Sequence, residues 1–349
     1  MCSVSNTDHP TSDLQLPSRA YFPRQRLAAM TGNPIAAVRK IVEIGPRLVL
    51  MWSGHYGTAE RVARSAQAWF GNQEPDPEDV ELFIQALDLY DAQPFSGILA
   101  PAATEWMYGI GKFRKGTSSA LGSFVVAGSG SDLFVHAAEQ VVGTAMIPGH
   151  NPPDIEALKI ANDFLAQEIW AGTPIENLFG GAYEVLVRGP LGYERVNDVI
   201  HVFASVSPDE RRNLTVTPHP HVLRQWYEDD SLWIVSLSTP EMTAEGLGFR
   251  TFVAPSILRE PEAAFGRPIL DIGSRPNYLC MFHRFELGGN AVPTSLIMKG
   301  AAIDEMISFT RRGDTIAIEF STVYLERVSQ MANMLSRDLS SERLANCGA

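Results

Sequence analysis

The stretch "RKIVEIGPRLVLMWSG", residues 39–54, carries a lysine into an apolar run that ends at Ser53-Gly54. Lys40 lies fourteen positions ahead of Gly54, and the second half of that interval is almost wholly apolar. An ammonium beside a nucleophile favours the deprotonated nucleophile. A loop glycine can present its N–H to a developing oxyanion. The same residues could equally be a strand-edge charge followed by a turn. A second stretch, "VVAGSGSD", sets Ser129 and Ser131 after a strand-like pair of valines; Ser131 or Asp132 suits a helix N-cap by type. Glu168 falls near the end of a long helical pattern, a poor place for a carboxylate without a partner.

Three other groupings are weaker. "HPH", His219 to His221, sits among prolines with no third histidine or clustered carboxylate, so it reads as a loop and not as a metal site. "CMFHRFEL" puts Cys280 and His283 on opposite faces of one strand, where they cannot form a dyad. Trp226, Tyr227 and Trp233 read as core or interface aromatics.

The bulk numbers narrow the field. The chain has 349 residues, 45% hydrophobic and 19% charged, ordinary values for a globular protein that buries a core without disulfides. Its net charge of −12, with basic residues scattered, argues against a nucleic-acid partner. Cys2, Cys280 and Cys347 are far apart and odd in number, so neither a zinc site nor a disulfide framework follows, no cofactor is implied, and a cytoplasmic location is the simplest expectation. No apolar run is long enough to span a membrane.

The elements that must position these residues follow from periodicity. Residues 1–34 are polar and proline-containing, and read as a divergent or disordered segment. Residues 35–53 read as strands broken at Gly45-Pro46. "HYGTAERVARSAQAWF" and "PDPEDVELFIQALDLY" read as helices, the second with proline and acids at its start. A strand, turn and helix cover 121–142, a long helix 152–172, and strands 180–206. Beyond Pro208, short β-type runs dominate ("SLWIVSLS", "RTFVAP", "NYLCMFHRFEL", "DTIAIEF") before a final helix at 321–338. The expected division is a first domain over 35–205 and a β-rich α+β domain over 206–349.

That order, together with three local patterns, resembles the proteasome β-subunit type of N-terminal-nucleophile (Ntn) hydrolase over about 170 residues. The patterns are "RKIVEIGPRLVLMWSG", "VVAGSGSD" and "ALKIANDFLAQEIWAGTPIENLF". The resemblance implies a four-layer αββα sandwich with an appended C-terminal α+β domain. It implies a peptide or amide substrate and a nucleophile activated by its own α-amine. Carried over by motif, Lys40 is the activating lysine, Gly54 the oxyanion donor, Ser129 and Ser131 the serines near the amine, and Glu168 stands where the family has aspartate. Ala171 stands where a second serine is usual.

The front of the chain departs from the family. "LPSRAYF" keeps only Ser18-Arg19 of the expected run. Cys2 becomes the nucleophile if Met1 is removed; otherwise the fold has lost its catalytic residue and works by binding, or an N-terminal segment is missing from the chain. The run from 3 to 17 is a poor strand for delivering Cys2, which favours a degenerate site with little activity. The small residues Ala59, Ala63, Ala66, Ala137 and Ala138 suit close helix packing, either within the chain or in a homo-oligomer.

Overall fold

The computed structural model describes residues 2–5, 34–73, 75–89, 94–104, 106–118, 122–128, 131–132, 134–135, 152–171, 182–209, 214–218, 221–238, 250–259, 274–287, 290–312 and 315–347. The fold is mixed α+β and strand-rich, with four α-helices and several separate sheets among the described residues. Two compact units are each assembled from three chain segments. One holds residues 1–196, 226–234 and 252–267; the other holds 197–225, 235–251 and 268–349.

In the first unit, β1 (Cys2–Ser5) pairs antiparallel with β2 (Pro34–Val38), Cys2 opposite Val38. This corrects the expectation of a structureless start at those four residues. Four residues are too few to show a period, and the ladder depends on a partner about thirty residues away. Pro34 opens β2, where a missing N–H does least harm. Strands β3 (Ile41–Gly45), β4 (Leu48–Gly54), β5 (Phe95–Pro101) and β6 (Tyr108–Gly111) form a four-stranded antiparallel meander in that order. β3 alternates, with Val42 and Ile44 buried and Glu43 turned outward, whereas Leu48, Val49 and Leu50 of β4 are buried in succession.

Helix α1 (Tyr56–Phe70) is capped by His55, whose Nδ1 accepts the Thr58 N–H. Its Ala59, Val62, Ala63, Ala66 and Phe70 recur at helical spacing and join Val42, Leu48 and Leu50 in one core. Truncating such a residue, Leu50→Ala for instance, costs about 2–5 kcal/mol. Helix α2 (Pro77–Ala86) begins where Asp76 accepts the Asp79 N–H at 2.8 Å, with Pro77 in its first turn; Phe83 packs edge-on against Phe70, 5.2 Å between ring centres. The hairpin β7 (Arg114–Ser118) and β8 (Gly122–Val126) follows, then α3 (Pro153–Ala171), then the hairpin β9 (Leu186–Gly189) and β10 (Gly192–Arg195).

In the second unit, β11 (Val199–Pro208) runs beside β12 (Leu214–Pro218) and the start of β13 (His221–Glu228) on one edge. Next along the chain are β14 (Ser231–Ser238), β15 (Arg250–Pro255), β16 (Tyr278–Leu287) and β17 (Asn290–Lys299). β16 is parallel to β11 and antiparallel to β17. A hairpin of β18 (Ile307–Arg312) and β19 (Thr315–Phe320) leads into α4 (Thr322–Cys347). α4 runs past the expected end at 338, since Ser340 and Ser341 are only mildly unfavourable inside a helix. β13 and β14 are joined by Asp229 and Asp230, both at positive φ (48° and 56°), a two-residue turn that aspartate tolerates. This tip, residues 226–234, belongs to the first unit.

Candidate functional site

The fourteen-residue interval between Lys40 and Gly54 is a hairpin. The chain runs out along β3, turns at Pro46-Arg47 and returns along β4, so that the Lys40 carbonyl accepts the Trp52 N–H at 3.0 Å. Gly54 follows two residues later, about 7 Å along the strand. The Lys40 ammonium lies 3.2 Å from the centre of the Trp52 indole, a cation–π contact. Trp52 is buried, and its Nε1–H has no hydrogen-bond partner among the described residues. Gly54 sits at φ +99°, and a Cβ there would lie 2.2 Å from the Pro94 carbonyl oxygen, so no other residue fits.

The end of β8 meets this hairpin. Gly128, at φ +100°, passes so close to Ser53 that an added Cβ would lie 2.6 Å from Ser53 Oγ. The Ser131 N–H donates to the Gly128 carbonyl at 3.1 Å, closing a turn. Lys40 thus touches Trp52, which leads along β4 into Ser53-Gly54, and Ser53 in turn meets Gly128 at the start of the turn to Ser131. Ser129 lies outside the described residues. Glu168 is in the last turn of α3, remote in sequence from these contacts, and its side chain also lies outside the described residues, as does that of Cys2. The Cys2 backbone is opposite Val38, two residues before Lys40.

Sequence reasoning missed the carboxylate that holds this corner. The Glu184 side chain is 2% exposed. Its Oε1 accepts Arg39 Nε–H at 2.7 Å and the Tyr227 hydroxyl at 3.4 Å; its Oε2 accepts the backbone N–H of Lys40 at 2.9 Å and of Ile41 at 3.3 Å. Arg39 also donates to Asp230 Oδ1 at 2.5 Å, and Arg195 bridges the same Asp230 oxygen at 2.6 Å and Glu43. Both guanidiniums lie 5.0 Å from the Tyr227 ring centre. Burial opposes the Arg39 cation, but Glu184, with Tyr227 and Asp230 beside it, together outweigh burial and hold the guanidinium above its ordinary value. Burial, then Glu184, pushes the Tyr227 hydroxyl well up. One signal was available: an acid inside the apolar run "AYEVLV" must be paired if buried.

The remaining candidates settle elsewhere. Cys280 is buried and is not part of a disulfide. His283 is fully buried and its Nε2 meets the Tyr324 hydroxyl at 2.8 Å; burial lowers the imidazole to about 4 and raises the phenol. Trp226 and Trp233 are buried and stacked, 6.2 Å apart. Ala59, Ala63 and Ala66 are fully buried in the first unit's own core, and Ala137 and Ala138 lie outside the described residues. Among the described residues no three His, Cys, Asp or Glu side chains group as metal ligands; His219 is not among them. No described helix is long and apolar enough to cross a membrane. Compared with protein-family models and with curated proteins, the chain matches none of them.

Proposed function

We propose that this chain is a proteasome-like Ntn-hydrolase-fold protein, a peptidase or amidohydrolase relative with an αββα first unit and Cys2 as its candidate nucleophile. The observation that carries this reading is the bond from the Trp52 N–H to the Lys40 carbonyl, which sets the lysine strand beside Ser53-Gly54. The contact of Gly128 with Ser53 and the pairing of Cys2 with Val38 add support. In the chemistry envisaged, the α-amine of Cys2, freed by removal of Met1, takes the thiol proton. The thiolate then adds to an amide carbonyl, whose oxyanion is met by the Gly54 N–H. Collapse expels the amine, which takes the proton back, and water hydrolyses the thioester. Lys40 supplies positive charge near the thiolate.

A second reading is a non-catalytic binding subunit on the same fold. The packing of the Lys40 ammonium on Trp52 favours it, since that cation is engaged by an aromatic face. Intact mass with N-terminal sequencing, then an electrophilic peptide probe, separates the two. The expected result is Met1 removal and stoichiometric modification of Cys2, lost in Lys40→Ala and in Cys2→Ala. A retained Met1 with no modification sinks the catalytic reading.

A further inference from the structure

We propose that Glu184 is a positioning residue for Lys40, held in that role by the tip of the β13–β14 hairpin. The inference rests on the reading of Lys40 as the lysine of the site. Two consecutive backbone N–H groups, those of Lys40 and Ile41, converge on Glu184 Oε2. Successive amides converge in this way only where the chain bends into a concavity that suits an anion. The bend lies between β2 and β3, and it decides where each neighbouring side chain goes. Arg39 turns into the ion cluster, and Lys40 turns onto Trp52.

The other oxygen of Glu184 is fixed independently, by Arg39 Nε and the Tyr227 hydroxyl. Asp230 then ties Arg39 to Arg195 from the hairpin tip. Rotation of the carboxylate would break bonds on both oxygens. At 2% exposure, water cannot replace them. Glu184 therefore acts through the Lys40 backbone; it contacts no reacting group.

The chain has five lysines, Lys40, Lys112, Lys115, Lys159 and Lys299, so amine reactivity can be read residue by residue. Limiting acetic anhydride with peptide mass spectrometry gives the acylation rate of Lys40 relative to the exposed Lys112, Lys115 and Lys299. Glu184→Gln is expected to raise that ratio about tenfold through local opening, and Asp230→Asn about threefold. Amide exchange at Lys40 and Ile41 should accelerate together. An unchanged ratio in folded Glu184→Gln overturns the proposal. If that variant fails to fold, an unchanged ratio in both Asp230→Asn and Tyr227→Phe overturns it. The Cys2 probe is independent: a raised ratio with no Cys2 labelling leaves Glu184 in place and removes only the catalytic reading.

Discussion

The Lys40 ammonium lies 3.2 Å over the Trp52 indole, and the Lys40 carbonyl accepts the Trp52 N–H at 3.0 Å. One tryptophan therefore holds the lysine by its side chain and by its backbone. Trp52→Ala should cost about 3–5 kcal/mol in urea unfolding. Trp52→Phe should cost less than Trp52→Ala, because it keeps most of the buried ring and the Nε1–H that it removes has no hydrogen-bond partner among the described residues. A phenylalanine variant as unstable as the alanine one would show that the indole N–H matters after all.

The ion cluster should respond unequally to its two acids. Glu184→Ala leaves Arg39 buried and short of its main partner, at a cost of about 3–5 kcal/mol. Asp230 is 51% exposed, so Asp230→Asn should cost only about 0–1 kcal/mol. Denaturant midpoints of the two variants, taken at one pH, check the ranking.

The approach of Gly128 to Ser53 can be tested as a coupling. Gly128→Ala alone should destabilise strongly, from its positive φ and from the clash with Ser53. Adding Ser53→Gly removes the clash but not the φ strain. The double mutant should recover about 0.5–3 kcal/mol relative to additivity. Strict additivity would mean that the two residues do not touch.

Acid should weaken the second unit through its buried histidines. Burial lowers His201 to about 3 and His283 to about 4, against an ordinary 6.5. The folded state therefore binds fewer protons than the unfolded state between those values. The neutral histidines' contribution is fully present above pH 6.5 and is lost as pH falls toward 4, at about 1.4 kcal/mol per pH unit for each histidine. Urea midpoints from pH 7 to 4 measure the slope, which should be shallower in His283→Leu.

Local patterns made much of the architecture legible before any coordinates. The break at Gly45-Pro46 became the β3–β4 turn, and the alanine face of α1 became core. The α+β class holds, and the short β-type runs of the later chain are strands. The site was legible only in part. Lys40 and Gly54 stand out because motifs are local, whereas Trp52, lying between them in sequence, reads as one more apolar residue. Arg39 carries no motif of its own, although neighbours in an extended chain point to opposite sides and need separate explanations. Glu184 and Asp230 lie 145 and 191 positions from Arg39, and no period in a sequence encodes a partnership across such distances.

The separation of Arg39 and Asp230 also has a meaning in time. The chain is made from its N-terminus, and at about 5–20 residues per second the ribosome needs about 10–40 s to add the 191 residues between these partners. Throughout that interval the arginine next to Lys40 lacks the carboxylate at the hairpin tip. The corner around Lys40 thus stays incomplete until residue 230 has been added. A nascent chain stalled before residue 230 should carry Lys40 in an open, reactive corner that closes only when the hairpin arrives.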